Sequence, residues 1–413
     1  MSSNRTIINM IMAEPKYRLN YLNPPGWLDC PKVFVPLPQP VEHSFLEQTL
    51  LKNRQIDKPY VAATGIYSGP EMIRECDAFS FVSEDVKKEL REGELIFIMH
   101  MAIEGNHKEF PFLWSLHDSA LRHDIPLNKI YYLTGDLNEK DIYEKETGGG
   151  INVYGMIVFA AEQARWAKTN SWQNKRMLDL EKLHQDKFFT ALSRKARYWR
   201  SYIIKDILES EVSDNCVISH GTHLIELLDT DRYDRMIYNV PYEEDHEDNP
   251  VIQFWRERNY VHEPGTHYPA DEPMVALEDL YNQVLFDVSL ETWQDEGVYF
   301  YTEKTIKPMM LGMPVLIWGS SGMNKGLKKY GFKTYEDWFD LSFDDEPDTV
   351  KRKDMLVKEI IRVCNELKGM SKADRIRWST KNKSVIKYNQ KILHNQPTTS
   401  RAFTQMLEHI KSQ

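Results

Sequence analysis

The chain of 413 residues carries 52 Lys and Arg against 62 Asp and Glu, which gives a formal net charge of −10. A chain of this length is too long to fold around one hydrophobic core, which predicts two domains of about 200 residues each. Hydrophobic residues make up 41% of the chain and aromatic residues 12%, a composition that excludes an intrinsically disordered protein.

The cysteines and the apolar segments indicate the compartment. Cys30, Cys76, Cys216 and Cys364 lie far apart in the chain, which disfavours a disulfide framework or a zinc site. No run of about 18 apolar residues predicts a membrane span, and the first residues lack the apolar core of a secretion signal. We therefore expect a soluble, cytoplasmic protein without a membrane partner.

The first 60 residues are rich in proline, which predicts irregular structure. Regular secondary structure is predicted only after them. Short apolar runs then alternate with helical patterns. Strands are predicted at residues 94–101, 129–134 and 151–160, and an amphipathic helix at residues 112–123. This alternation is typical of a parallel sheet covered by helices on both faces.

The second half of the chain repeats the alternation. Residues 162–210 are basic and helical in pattern, and we place the crossover between the domains there. The strands predicted beyond it lie at residues 216–219, 283–289, 298–301 and Val315–Trp318. After residue 350 only helical patterns remain, at residues 351–367, 372–393 and 399–411.

The patterns together predict an α/β protein with two doubly wound, Rossmann-like domains and a helical C-terminal tail. We expect the first domain at residues 1–185 and the second at residues 186–395. A C-terminal helix is expected at residues 396–413, and one option for it is to pack back on the first domain.

The segment 297–319 carries the strongest functional signal. Thr302 is suited to cap a helix that is predicted at Glu303–Leu311 and ends at Gly312. Lys304 then lies in the first turn, where the helix dipole disfavours a cation by about 0.3–1 kcal/mol and free N–H groups favour an anion. Lysine and N–H groups aimed at one spot would hold a phosphate or pyrophosphate. The alternative is that Lys304 simply extends into solvent.

Glu303-Lys304-Thr305, followed by Lys307-Pro308, resembles the donor-binding segment of the α-1,3-fucosyltransferases and of glycosyltransferase-like proteins encoded by tailed bacteriophages. The resemblance implies a GT-B glycosyltransferase, with the acceptor on the first domain and a nucleotide sugar on the second. It assigns the ribose or sugar of the donor to Glu303 and the diphosphate to Lys304. The implied co-substrate is a UDP- or GDP-linked sugar, used without a metal or another cofactor.

Five further residues are candidates for donor binding. Thr305 and Lys307 belong to the same motif, and Lys307 lies one turn after Lys304. Ser320 follows the strand Val315–Trp318, at an edge where open α/β sheets bind ligands. Arg194 and Arg197 lie in a stretch similar to one in the phage proteins, and a guanidinium suits bidentate contact with phosphate. The alternative for these arginines is a solvated basic helix face.

The acceptor hydroxyl needs a base, which in the fucosyltransferase pattern is a carboxylate of the N-terminal domain. Glu104 follows the predicted strand 94–101 and is our first choice, and Asp136 follows the next strand. Asp229 and Asp231 form an Asp-x-Asp, and residues 243–248 form an acidic run. Their contexts favour a helix and a surface loop, so we predict no metal site.

Charge is segregated along the chain and bears on the partner. Residues 165–205 carry 11 basic and 3 acidic side chains (+8), residues 226–300 carry 4 and 19 (−15), and residues 350–413 carry 15 and 5 (+10). The basic segments either line a cleft for a polyanion or are solvated helix faces. With the phage resemblance they favour a hydroxymethylated base of double-stranded phage DNA as acceptor, in a host cytoplasm. The alternatives are a glycan or lipid-linked sugar acceptor, and a non-catalytic nucleotide-binding module.

Overall fold

The structure is a computed structural model that describes residues 60–64, 77, 79, 84–101, 112–157, 181, 183–193, 198–220, 280–293, 297–395 and 397–412. The chain groups into two compact units. The N-terminal unit comprises Met1–Val158 and Thr399–Gln413, and the C-terminal unit comprises Phe159–Thr398. The domain boundaries expected from the sequence stay a prediction.

Parallel sheets and helices make this a mixed α/β protein. The strands are β1 (Tyr60–Thr64), β2 (Ile96–Met101), β3 (Ile130–Thr134), β4 (Asn152–Gly155), β5 (Phe189–Ser193), β6 (Cys216–His220), β7 (Phe286–Leu290) and β8 (Val315–Trp318). The α-helices are α1 (Glu84–Arg91), α2 (Phe112–Arg122), α3 (Glu139–Thr147), α4 (Tyr198–Glu209), α5 (Glu303–Leu311), α6 (Met323–Lys329), α7 (Thr349–Lys368), α8 (Lys372–Ser379), α9 (Lys383–Asn395) and α10 (Pro397–Ser412).

The N-terminal unit contains a parallel sheet in the order β1-β2-β3-β4. All five residues of β3 are buried, as expected for a strand covered on both faces. A strand is confirmed within each of the predicted ranges 94–101, 129–134 and 151–160, as β2, β3 and β4. The sequence does not predict β1, which adjoins the proline-rich stretch.

Helix α10 packs against this first sheet. Ala402, Met406 and Ile410 recur every four residues and are buried, so they form one face of the helix. His409 contributes a hydrogen bond of 2.7 Å between its Nδ1 atom and the hydroxyl of Tyr154. Its ring also meets the ring of Tyr131 edge-on, at 5.6 Å between centroids. These contacts explain why residues 399–413 group with the N-terminal unit.

The C-terminal unit contains a second parallel sheet, in the order β6-β5-β7-β8. Its internal strand β5 lies within residues 162–210, where the sequence predicts helix, so that prediction is wrong for Phe189–Ser193. The strand is only five residues long and includes Thr190 and Ser193, so it gives no continuous apolar run, and the basic residues on either side belong to the predicted helix.

The strand predicted at 298–301 is also wrong. β7 pairs directly with β8, from Asp287 with Val315 to Leu290 with Trp318, and residues 298–301 are not in a sheet. They pack along α6 instead, where the Tyr301 hydroxyl donates to the Met323 carbonyl at 2.5 Å. A run of aromatic residues fits this contact as well as it fits a strand.

The helix predicted at 372–393 is divided in two, α8 and α9. The indole N–H of Trp338 donates to the Trp378 carbonyl at 2.8 Å, near the end of α8. The Asn382 side chain then accepts the amide of Val385 at 3.3 Å and begins a new helix. No glycine or proline marks this break in the sequence.

Candidate functional site

Three polar side chains lie on one face of β7 and its continuation by one residue. Asp287 and Ser289 lie on the strand, and Glu291 follows it. Alternate residues of a strand share a face, so the three point the same way. All three are buried, and their hydrogen bonds lead towards the first turn of α5.

Glu291 fixes the start of α5. Its carboxylate is fully buried and accepts the backbone N–H of Thr302 at 2.9 Å, the Thr302 hydroxyl at 2.6 Å and the Thr305 hydroxyl at 2.6 Å. The Thr302 oxygen in turn accepts the Lys304 amide at 3.3 Å as the helix cap. Bonds to a carboxylate are among the stronger hydrogen bonds, and a negative charge is favoured at a helix N-terminus.

A buried arginine connects α4 to the same place. Arg200 lies in the first turn of α4, and its Nε atom donates to the Glu291 carbonyl at 3.3 Å. Its Nη2 atom donates to the Thr292 hydroxyl at 2.8 Å. The start of α4, the residues after β7 and the start of α5 therefore meet at the carboxyl edge of the second sheet.

Glu303 and Lys304 form an ion pair at the start of α5. The Lys304 Nζ atom lies 2.8 Å from Glu303 Oε1 and 3.4 Å from the Thr302 hydroxyl oxygen. The side chain of Lys304 is 20% exposed and that of Glu303 is 21% exposed, so a ligand has access to part of each. Burial alone raises the pKa of Glu303, but the charge and hydrogen bond of Lys304 and the charge of Lys307 lower it to about 2. The site thus offers a permanent carboxylate beside an ammonium.

The predicted helix Glu303–Leu311 is confirmed with both of its caps. Thr302 caps the N-terminus, and Gly312 ends the helix with a φ of 82°, a left-handed conformation that favours glycine. The fold therefore puts Lys304 in the first turn, as the sequence predicts. Its ammonium is ion-paired to its neighbour rather than extended into solvent.

The other predicted donor-binding residues that the structure describes are buried. Thr305 is fully buried with its hydroxyl on Glu291, and Lys307 is buried on the same helix. The Ser320 hydroxyl is buried after β8 and has no partner within the described part of the chain. Arg194 and Arg197 lie outside the described residues. Their roles in binding stay predictions.

Of the two candidate bases, Glu104 lies outside the described residues, and Asp136 follows β3 in the N-terminal unit. Asp136 is fully buried, and its Oδ1 atom accepts the amide of Asn138 at 2.9 Å. Its neighbour Glu139 is also buried and bonds the Thr134 hydroxyl. Burial and then the charge of Asp136 raise the pKa of Glu139 to about 8. Two acids therefore lie together at the end of β3, and only Asp136 is predicted from the sequence.

The residues that the structure describes hold neither a metal-ligand cluster nor a helix able to span a membrane. Within them, no group of three or more His, Cys, Asp or Glu side chains is placed to hold a metal. Asp229, Asp231 and residues 243–248 are outside that part of the chain. No helix among the described residues has the length and apolar character needed to cross a bilayer.

The basic segment 350–413 is partly neutralised by the fold. Arg352 and Lys353 on α7 are buried, and Lys353 is ion-paired with Asp206. Arg362 pairs with Glu359 at 2.6 Å and with a second glutamate one turn later at 3.2 Å. Part of the excess positive charge of this segment is therefore neutralised by ion pairs within the C-terminal unit. About half of the segment 165–205 lies outside the described residues.

Comparisons with known proteins find similarity at the level of structure. The sequence matches no protein-family model and no curated protein. A solved structure of an α1,3-fucosyltransferase is similar over 87% of this chain and 88% of its own, with 10% sequence identity and a TM-score of 0.29.

Proposed function

We propose that this protein is a GT-B-type glycosyltransferase that binds a UDP- or GDP-linked sugar at the first turn of α5. The observation that carries the proposal is the Glu303–Lys304 ion pair, accessible at a capped helix N-terminus. Open α/β sheets bind ligands at the carboxyl edge of their strands, and helix N-termini favour phosphate. The sequence resemblance to fucosyltransferases and phage proteins supports the same site.

The chemistry of sugar transfer suits the residues at this site. The departing diphosphate needs positive charge, which Lys304 supplies, with Arg194 and Arg197 as proposed second sources. Glu303 is ionised throughout the physiological range and accepts hydroxyls of the donor's ribose or sugar. Thr305 acts through Glu291, whose three hydrogen bonds hold the turn that carries Lys304.

The remaining proposed contacts complete the reaction. Lys307 adds positive charge beneath the ion pair, and the buried Ser320 hydroxyl offers a hydrogen bond from the neighbouring loop. Asp136 or Glu104 of the N-terminal unit deprotonates the acceptor hydroxyl. The proposed reaction uses no metal, since protein cations and a helix N-terminus stabilise the leaving group.

The acceptor that we propose is a hydroxymethylated base in double-stranded phage DNA, modified in the host cytoplasm. Support comes from the phage resemblance and from the basic segments 165–205 and 350–413. Contacts between these segments and DNA phosphates would make activity fall steeply with salt. A glycan or lipid-linked sugar is the alternative acceptor, and a nucleotide-binding module without activity is the alternative function.

Isothermal titration with a panel of nucleoside diphosphates tests the donor site. We expect one of them to bind, and Lys304→Ala to weaken it by about 10- to 100-fold, because a charge-assisted contact is lost. Lys328→Ala is the matched control, since Lys328 also forms an ion pair of 2.7 Å, with Glu336, but is well exposed. No binding by any nucleotide, or equal binding by Lys304→Ala, would overturn the proposal.

Product analysis separates the acceptors. The protein is incubated with hydroxymethylcytosine DNA or with glycans, each with a mixture of nucleotide sugars, and the products are examined by mass spectrometry. A nucleoside whose mass has increased by one sugar supports the DNA acceptor. Glycan products in its place support the alternative, and donor binding without any product supports the non-catalytic module.

A further inference from the structure

A proline inside α5 removes the helical partner of the Lys304 carbonyl. In an α-helix this carbonyl would accept the amide of residue 308. Residue 308 is Pro308, which has no N–H. The hydroxyl of Ser289 on β7 lies 2.9 Å from the Lys304 carbonyl oxygen instead. A side chain of the sheet therefore replaces the missing helical bond at the residue that bears the proposed phosphate ligand.

The same hydroxyl also faces a carboxyl group. Ser289 Oγ lies 2.6 Å from Asp287 Oδ1, and the other carboxyl oxygen accepts the Thr190 hydroxyl of β5 at 2.6 Å. Ser289 and Asp287 are 2% and 3% exposed, so bulk water does not supply alternative partners. A hydroxyl has a single hydrogen, so Ser289 donates fully either to Asp287 or to the Lys304 carbonyl.

The protonation state of Asp287 decides between these two partners. Ionised Asp287 only accepts, and its charge draws the hydrogen of Ser289 away from the carbonyl. Protonated Asp287 donates its own hydrogen to Ser289 Oγ, and the Ser289 hydrogen then turns to Lys304. The exchange takes one proton from solvent and breaks no covalent bond.

The groups around Asp287 shift its ionisation to near neutral pH. Burial raises the pKa of Asp287 to about 7, although the bonds from Ser289 and Thr190 oppose the rise, and the charge of Glu291 adds to it. Tyr281 also lies within electrostatic range. The neighbouring strand β8 contains no titratable side chain.

The charged groups of the facing helix belong to the same site. Helix α5 presents the Lys304 carbonyl to Ser289, and it carries the Glu303–Lys304 pair and Lys307 in its first two turns. A change at Asp287 is thus transmitted to the turn that bears these charges through one hydroxyl group.

We propose that Asp287 and Ser289 are positioning residues for Lys304, and that proton uptake by Asp287 turns the Ser289 hydroxyl onto the Lys304 carbonyl and fixes the first turn of α5. The consequence for the sugar donor rests on the proposed function, whereas the hydroxyl switch itself does not. The donor site is then held most firmly when Asp287 is protonated.

Nucleoside diphosphate affinity measured across neutral pH tests the effect on the donor. Because the phosphate of the nucleotide also titrates, the comparison is made between variants at each pH. In the wild type, affinity should fall as Asp287 ionises. Asp287→Asn keeps a neutral donor beside Ser289 and should retain the affinity that the wild type has at low pH. Ser289→Ala lacks the hydroxyl and should bind at every pH as weakly as the wild type does when Asp287 is ionised. Identical pH profiles for the wild type and Asp287→Asn would overturn the proposal.

Pro308→Ala supplies a second test, since it restores an amide at residue 308. The Lys304 carbonyl then has a helical partner, so Ser289→Ala should cost far less affinity in this background. Thr190→Val is the matched control, because it removes only the bond at the far carboxyl oxygen. It should move the midpoint of the pH dependence upward and leave the affinity at low pH unchanged. An equal cost of Ser289→Ala with and without Pro308 would contradict the switch.

Hydrogen exchange without any ligand separates this proposal from the proposed function. We expect the protection of amides in residues 303–311, corrected for intrinsic rates, to fall as Asp287 ionises in the wild type but not in Asp287→Asn. If no nucleotide binds yet protection follows this course, the proposed function fails and the switch holds. Protection that does not differ between the two proteins at any pH overturns the switch, whatever the titrations show.

Discussion

The ammonium of Lys304 lies 2.8 Å from the carboxylate of Glu303, its neighbour in the chain. The pair lies at a helix N-terminus, where the dipole favours the glutamate and disfavours the lysine. An anionic ligand therefore has to share Lys304 with Glu303, while a hydroxyl of the same ligand gains an acceptor. Competition inside the pair leads to the first prediction.

Glu303→Gln should strengthen binding of inorganic pyrophosphate by about fivefold, because Lys304 loses its internal anion. The same change should weaken binding of the nucleotide sugar, since it removes the carboxylate that accepts hydrogen bonds from hydroxyls of the donor. Isothermal titration with the two ligands measures both effects. Glu336→Gln, at the exposed Lys328 pair, is the control and should change neither. Parallel losses for both ligands would argue against competition.

Glu291→Gln should destabilise the start of α5 by about 2–4 kcal/mol, because the amide replaces an oxygen that accepts hydrogen bonds with a group that donates them. Hydrogen exchange of residues 303–311 measures this local stability. We also expect weaker donor binding, because the capped turn carries Lys304. Normal protection in this helix would show that Glu291 does not hold it.

The stability of the N-terminal unit should fall as pH rises from about 4.5 to about 8. Over this range the folded protein keeps a proton on Glu139, whose pKa is raised to about 8 by burial and by Asp136, whereas the unfolded chain releases it. Protons bound only in the folded state make stability decrease with pH, by roughly 3–5 kcal/mol in total. Glu139→Gln should remove this slope.

Exchange of amides in β3 and β4 over the same pH range measures the Glu139 effect. Glu144→Gln on the exposed side of α3 is the control and should leave the slope unchanged. A slope that persists in Glu139→Gln would assign the titration to a different group.

Met406→Ala should destabilise the N-terminal unit by about 2–5 kcal/mol, since Met406 is fully buried in the face that α10 presents to the first sheet. Glu408→Ala changes an exposed residue of the same helix and should have little effect. Exchange of amides in β3 and β4 reports the difference. Unchanged protection in Met406→Ala would show that α10 does not support this sheet.

The sequence predicts α5 to the residue because the signals are local. Thr302 and Gly312 have the chemistry of an N-cap and a left-handed C-terminal residue, and they bracket a helical pattern. The ion pair of Lys304 with Glu303 is not predictable in this way, since it depends on side-chain rotamers. The supporting residues on β7 have no signal in the sequence beyond polar residues alternating within an apolar strand.

The errors come from patterns that two structures satisfy equally well. Strand β5 is a short segment of apolar and hydroxyl residues between basic ones. Residues 298–301 have the aromatic content typical of a strand but pack on α6. No glycine or proline marks the end of α8, where the Trp378 carbonyl accepts the indole N–H of Trp338, far away in the chain. Such long-range partners override local propensity.

The return of α10 to the N-terminal unit has a consequence for biosynthesis. The C-terminal unit is one continuous stretch of chain, whereas the N-terminal unit needs residues on both sides of that stretch. On the ribosome, residues Phe159–Thr398 are synthesised before most of α10. The apolar surface that Met406 and Ile410 cover therefore stays exposed until α10 has also been made. The unit that is translated first is thus the one that is completed last.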